Sequence, residues 1–315
     1  MKYDIITFGS AVVDIYMDTS VRESKGQLCF DVGDKILIDD INFSIGGGGT
    51  NTAVAFRRLG LKAGYFGKIG EGKNGEIVLR ELGKDNVPFL GIKSKEHTAY
   101  SAILGAKKGR RTILTYKGAS NTIKWGEVEK GKLKADWFYF SSMMEESFKT
   151  MEKLVEFAVG KGTKVAFNPS QYQVCLGKNR LKKILKNTDV LILNKKEAGI
   201  LVGKGNLHEK LHKLGVKIIC ITEGDKGSET SDGINLYRAH ANKNIKCRET
   251  TGAGDAFASG FVYGIIKNFG IEKAIQIGSA NAESVIQIRG AKNGLLRRSD
   301  LGKIRKVKIV EKKEK

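Results

Sequence analysis

Apolar positions along this chain follow two alternating rhythms. Short runs rich in β-branched and aromatic residues recur at "YDIITFG" (3–9), "KAGYFGKIG" (62–70), "DWFYFS" (136–141), "TKVAFN" (163–168), "TDVLILN" (188–194) and "VKIICIT" (216–222). Between several of them lie stretches with helical spacing, such as "TAVAFRRLG", "MEKLVEFAVG" and "RLKKILKN". A strand that stays apolar at successive positions must be covered on both faces. The alternation therefore predicts an α/β protein, a parallel sheet between layers of helices. Two regions break the rhythm. Residues 11–45, with "AVVDIYM" and "DKILIDDINFSI", and residues 97–116, with "HTAYSAILGAKKGRRTILTY", alternate as hairpins do, and "KKGRR" supplies a turn. They predict a small second sheet inserted into the main unit, a flap able to cover a site and exclude water. No internal repeat or low-complexity linker appears, so residues 1–315 are expected to form a single domain.

Composition adds bounds. A hydrophobic share of 41% and a charged share of 28% are ordinary for a globular protein. No apolar run approaches the ~18 residues of a membrane span, and the N-terminus reads as a first strand and not as a signal peptide. Cys29, Cys175, Cys220 and Cys247 are scattered without metal-like spacing, which suggests reduced thiols and a cytoplasmic location. Lysine and arginine exceed acids by 55 to 34, a formal net charge of +21. That raises anionic ligands and nucleic acid as partners. The charge is spread along the chain without a recognition motif, so no nucleic-acid partner is expected; a non-enzymatic, basic nucleic-acid-binding protein stays a remote alternative.

Candidate chemistry clusters in five places. In "ETTGAGDAFASGF" (249–261), a turn of small residues opens a helix whose first turn carries Asp255. Open backbone amides and the positive helix end favour phosphate oxygens, although a capped helix start has the same pattern. In "SIGGGGTNTAVAFRRLG" (44–60) four glycines run into a helix, letting a small polar ligand approach the backbone, with Asn51 able to donate and accept. Asp14 follows the first strand, where a carboxylate can grip two hydroxyls. "LNKKEAG" (193–199) and "TEGDKG" (222–227) each end a predicted strand, at the edge where open α/β sheets bind ligands. There Asn194 and Glu197 form a hard-oxygen pair suited to Mg²⁺ through water, or else a helix cap followed by a first-turn acid.

Taken in order, these motifs resemble the ribokinase/PfkB family of carbohydrate kinases, from "FGSAVVDIYM" to "SANAESVIQIRGAKNGL" (279–295). The two glycine segments look like the family's signatures. The resemblance implies a three-layer α/β/α ribokinase-like sandwich with a small β-sheet lid. It also implies transfer of the ATP γ-phosphate to a hydroxyl of a small sugar or sugar derivative. A nucleoside kinase of the same family is the alternative. In that reading Asp255 is the base, and Gly252, Ala253 and Gly254 form the anion hole. Asp14, Gly47, Gly48 and Asn51 hold the sugar. Asn194 and Glu197 organise Mg²⁺–ATP, while Thr222, Gly224 and Gly227 line the nucleotide and Asn281 lies near the adenine. The chain would work as a monomer or homodimer, with no membrane partner. Two departures stand out. Glu249 replaces the usual Asp at a position tied to a monovalent-cation site in some members, which puts potassium activation in doubt. Gly48 stands where ribokinases carry a lysine, which weakens ribose as the acceptor. Arg110 and Arg111, in "KGRRTILTYKGASN", could meet a substrate carboxylate or phosphate, or form a solvated turn.

Two decoys are set aside. "HEKLHKLG" (208–215) matches a zinc-protease motif with His208, Glu209 and His212, but Ile218 occupies the place of a third histidine and the segment is expected on a covering helix. "GEGKNGEI" (70–77) is similar to a phosphate loop but lacks its GK[ST] ending, and is expected to close a strand and open a helix.

Overall fold

Each central strand sends alternate residues to opposite sides, and this builds one core on each face of the main sheet. Ile6, Phe8, Phe138, Phe140, Phe167, Leu191, Leu193, Ile219 and Ile221 fill one core, together with Phe148, Met151 and Leu154 from the helix Glu145–Gly160. Ile5, Trp137, Tyr139, Val190, Ile192 and Cys220 fill the other, against Phe56 of the helix Gly48–Arg58 and Phe257, Phe261 and Val262 of the helix Ala253–Ile266. The result is three layers, helices on both faces of a sheet. The computed structural model describes residues 1–19, 21, 23, 24, 27–105 and 111–313.

Among the described residues the main sheet has nine strands. Their order is Ile309–Lys313, Asn235–Ala239, Ser228–Ser231, Ile218–Thr222, Val190–Asn194, Lys164–Asn168, Ala135–Ser141, Tyr3–Phe8 and Ala63–Phe66. From Ile218–Thr222 to Ala63–Phe66 all neighbours are parallel. The other three strands are antiparallel, so the sheet is mixed where the sequence pattern suggested only parallel pairing. These edge strands are short and polar and escape a search for apolar runs. The last comes from the basic C-terminal segment. The run "KAGYFGKIG" also divides: Ala63–Phe66 stays in the main sheet, while Lys68–Gly70 pairs with Ile92–Ser94 in a separate two-stranded sheet. Gly67 is the break, since a Cβ there would lie 2.7 Å from the Gly9 carbonyl oxygen.

The four-stranded second sheet runs Arg111–Tyr116, Ala99–Gly105, Val12–Thr19, Ile38–Gly46. Val12–Thr19 and Ala99–Gly105 are parallel and the outer pairings antiparallel. The "KKGRR" turn through residue 110, including Arg110, lies outside the described residues. A third apolar cluster, with Ala11, Val13, Ile45, Val54, Tyr65, Ile69 and Ala256, roots this lid on the main body. Its far face is apolar and open: Ile41, Phe43, Leu114 and Tyr116 are each about half exposed or more.

The helix Ala253–Ile266 is buried nearly all round, and its neighbour Ile271–Val285 crosses it closely. Glycines permit that approach: a Cβ on Gly260 would lie 2.9 Å from both Gly278 Cα and the Ile277 carbonyl oxygen. Backbone cannot yield as a flexible side chain can. Gly260→Val is therefore expected to destabilise the fold by about 1–3 kcal/mol. The change should appear as a lower denaturant midpoint at unchanged slope; an unaltered midpoint would show that the helices can separate freely.

Candidate active site

The parallel strands all end on one edge, and the candidate residues collect there. Ser10 follows the first strand, Ser141 closes Ala135–Ser141, Asn168 closes Lys164–Asn168, and Asn194 and Thr222 close the next two in mutual register. Two helices also begin at this edge. The glycine run enters the first of them: Gly46 ends a strand, Gly47 takes φ 97°, and Gly48 and Gly49 are already helical. Sequence spacing placed that start two residues later, at Thr50. Each glycine has a packing reason. A Cβ on Gly47 would lie 2.4 Å from the Ser10 carbonyl oxygen, and one on Gly49 would lie 2.6 Å from the Tyr65 ring. At Gly48 it would lie 2.8 Å from Ser141 Cβ, so this wall has no room for a side chain.

The second helix, Ala253–Ile266, starts from Gly252 in the left-handed region at φ 79°. A Cβ there would meet Ala291 at 2.6 Å, so turn and packing both require glycine. The Ala253 N–H is spent on the Thr250 carbonyl at 3.2 Å. The N–H groups of Gly252, Gly254 and Asp255 have no acceptor among the described residues, which leaves open donors at a positive helix end.

Asp255 is half-buried beside these donors. Asn51 on the neighbouring helix donates its Nδ2 to Asp255 Oδ2 at 2.8 Å. Behind Asn51 stands Lys292, whose ammonium lies 3.4 Å from Asn51 Oδ1 and also donates to the Ile45 carbonyl. The ammonium holds the amide oxygen toward itself and so points the amide nitrogen at Asp255. Burial raises the carboxyl pKa of Asp255, while Asn51 and Lys292 oppose the rise. Burial drives Lys292 down to about 8 against the pull of Asp14.

In front of Asp255 opens a cavity of about 360 Å³. Its floor includes Ser10, Gly47, Gly48, Ser141 and Asn168. Its roof is the inner face of the lid, where alternate residues of three adjacent strands point inward: Val12 and Asp14, Ser101 and Ile103, Ile113 and Thr115. Asp14, Ser101 and Thr115 share one row across those strands, with Ser101 and Thr115 hydroxyls 2.8 Å apart. Asp14 is 8% exposed, and burial raises its carboxyl to about 6 against Ser101, Lys292 and Lys117. Lys117 lines the same cavity just beyond Thr115.

The structure thus brings Asp14, Gly47, Gly48 and Asp255 together on one cavity. Asn51 is not on its wall; its amide serves Asp255 and Lys292. Asn194 and Glu197 form a reciprocal capping box at 2.9 Å each way, and only Glu197 reaches the cavity lining. Thr222, Gly224 and Gly227 stay at the sheet edge outside it, with Gly227 packed so that a Cβ would lie 2.0 Å from the Ala239 carbonyl oxygen. Asn281 departs from expectation. It is fully buried, donates to the Ala256 carbonyl at 2.7 Å and accepts from the Leu296 N–H at 2.9 Å. It ties the two apolar helices to the following chain and presents no amide edge to a nucleotide.

Arg111 is partly exposed, and its guanidinium reaches Glu249 at 2.5 Å. Glu249 also accepts from the Thr251 hydroxyl at 2.6 Å and the Gly290 N–H at 3.0 Å. Burial would raise its pKa, but these partners hold it below the usual range. His208 and His212 sit on the short covering helix Leu207–His212, near the Glu229 carbonyl and bonded to the Val216 carbonyl and Ser231 hydroxyl. No metal-like cluster occurs among the described residues. Sequence reading missed Lys117 and Lys292, because nothing in a lysine-rich chain marks which two are turned inward.

Comparison with known proteins bears on the family and the fold. The profile of the pfkB family of carbohydrate kinases matches residues 3–298. An uncharacterized sugar kinase of Archaeoglobus fulgidus is 29% identical over 251 residues, covering 77% of this chain and 98% of that one. The ATP-dependent 6-phosphofructokinase of Thermoanaerobacterium thermosaccharolyticum is 24% identical over 306 residues, covering 92% and 90%. Among solved structures, Arabidopsis thaliana ribokinase complexed with ribose and ATP superposes with a TM-score of 0.82 at 22% identity, covering 96% of this chain and 98% of that one. The fold is ribokinase-like, a mixed main sheet with a separate lid sheet.

The strained charge of Asp14 has a measurable consequence. The folded protein keeps its proton up to about pH 6, whereas the unfolded chain releases it near 3.8. The folded state therefore binds more protons across that window, and stability falls as pH rises through it and stays lowered above. The full shift corresponds to ~3 kcal/mol as an upper bound. Asp14→Asn is expected to raise the denaturation midpoint at neutral pH and to change little at about pH 4. Equal midpoints at neutral pH would mean that this carboxylate carries no strain.

Proposed function

The chain belongs to the pfkB family of carbohydrate kinases, and on that premise we propose that it transfers the ATP γ-phosphoryl group to a hydroxyl of a small sugar or sugar derivative. One observation carries the reading: Asp255 lies half-buried on the cavity wall, bonded to Asn51, beside open backbone donors at a helix start. The acceptor oxygen attacks the γ-phosphorus while Asp255 takes its proton; the bond to the bridging oxygen breaks and ADP leaves. A raised carboxyl pKa makes Asp255 a stronger base in its ionised form, and Asn51 with Lys292 opposes the rise and favours that form. The N–H groups of Gly252, Gly254 and Asp255 face the charge that develops on the transferring group. Ala253 contributes its place in the turn, since its own N–H is engaged.

Gly47, Gly48 and Asp14 line the acceptor's place, and Asn51 acts on it through Asp255. Thr222, Gly224 and Gly227 border the nucleotide on the same sheet edge. Glu197 suits a hydrated Mg²⁺: it lines the cavity, and burial raises its pKa, so a nearby cation would relieve it. Asn194 orients it through the capping box. Bound there with ATP, Mg²⁺ would neutralise phosphate charge. A nucleoside acceptor has less support, because the lining offers Tyr172 as its one aromatic side chain among the described residues, and Lys117 lies 5.6 Å above that ring.

Replacing Asp255 by Asn keeps shape and removes the base. Turnover should fall roughly 10²–10⁴-fold with ATP affinity nearly intact, measured by coupled ADP release and by nucleotide binding. Turnover close to that of the wild type would sink the assignment.

Glu249 already has its counter-charge. Arg111 supplies a fixed cation at the position tied to monovalent ions, and the remaining valences of the carboxylate go to Thr251 and Gly290. We therefore expect no potassium requirement. Rates in potassium, sodium and choline buffers should coincide, and a steep loss without potassium would overturn this reading.

A further inference from the structure

Building on the cavity as the acceptor site, we propose that the acceptor carries an anionic substituent, a phosphate monoester or a carboxylate, and that Lys117 with Ser120 and Asn121 binds it. Lys117 is the single cation among the cavity's described lining residues. It has no ion-pair partner within 4.0 Å among the described residues; its contact is the Tyr172 ring at 5.6 Å. A half-buried ammonium without an acceptor is costly, and burial lowers its pKa accordingly. Three residues on, Ser120 is 1% exposed, lines the cavity, and its hydroxyl has no hydrogen-bond partner. Asn121 completes the group. An unpaired cation, an unpaired hydroxyl and an amide on one turn are what an oxyanion with several lone pairs would satisfy together.

The turn is built to hold them there. Gly118 adopts φ 44°, with a Cβ position only 2.3 Å from the His97 carbonyl oxygen, and the Ala119 N–H donates to the same carbonyl at 2.9 Å. Register then sets the spacing. Thr115 and Lys117 lie two apart on the edge of the lid, and Asp14 is two strands away, roughly 10 Å across the sheet. That span suits a sugar whose hydroxyls meet Asp14 while its charged group meets Lys117. Asp14 acts on Lys117 only at a distance, with no ion pair between them within 4.0 Å, and Asp255 feels Lys292 instead. A simple counter-charge role for Lys117 would instead place its ammonium on Asp14, and no such pair forms.

The test uses matched acceptors in an ADP-release assay: fructose against fructose 6-phosphate, ribose against ribose 5-phosphate, and glucose against gluconate. Binding of the same compounds is followed by calorimetry with a non-hydrolysable ATP analogue. An anionic member should be preferred, and Lys117→Met should cut that preference by roughly 10- to 100-fold, mainly through KM. Lys117→Arg should restore most of it, and the KM for ATP should not move. Preference confined to the phosphate pairs or to the acid pair identifies the anion. Equal use of neutral and anionic sugars, a preference that survives Lys117→Met, or a raised KM for ATP would overturn the inference. Lys117-dependent anion binding without turnover would leave it standing and sink the kinase reading of the site. Absence of binding by every anionic compound, with neutral sugars still phosphorylated, would do the reverse.

Discussion

A half-buried carboxylate, Asp255, set where two helices begin is the constraint around which this molecule is arranged. An isolated ionised Asp255 would be expelled or neutralised at that depth. Asn51 donates to it and opposes the rise in its pKa, and Lys292 fixes which way that amide points. This chain of contacts spans three distant parts of the sequence, so the glycine helix, the apolar helix and the loop after residue 290 must dock together. The glycines at the docking points follow from it. Gly48, Gly49, Gly252 and Gly260 each face a neighbour that leaves no space for a Cβ.

The same economy of space explains the acceptor cavity. With Gly48 forced by Ser141, the floor offers only short polar side chains, Ser10, Ser141 and Asn168, and the charged groups Asp14 and Lys117 come from the lid and its edge. Alternate residues of three strands then present a row, Asp14, Ser101 and Thr115, with Lys117 beyond its end. Both Asp14 and Lys117 are held against their ionisation preferences by burial. Groups shifted by burial in a cleft are candidates for binding a charged or hydroxylated ligand, the role proposed for both. Arg111 and Glu249 join the edge lid strand to the turn that opens the apolar helix. That contact gives the lid a fixed relation to the proposed phosphoryl-transfer centre.

Much of this was legible in the chain. Near-continuous apolar runs separated by helical spacing specified two-sided burial, hence the layered sheet, and hairpin-like alternation marked the lid segments. Those are local patterns, and locality is why they can be read. The antiparallel edge was not legible, because Ser228–Ser231 and Asn235–Ala239 carry too few apolar residues and Ile309–Lys313 looks like a solvated basic tail. Asn281 shows the opposite failure, a polar residue expected at a ligand that the packing instead spends on backbone groups.

What the sequence alone determined is therefore the architecture and the identity of its glycine turns, since periodicity and backbone freedom depend on neighbours along the chain. Tertiary structure decided which charges matter. Among 55 lysines and arginines, Lys292 and Lys117 acquire their places only when segments far apart close around them, and Arg111 finds Glu249 only across the folded lid. Electrostatic roles arise from proximity and burial, and neither exists until the chain is folded.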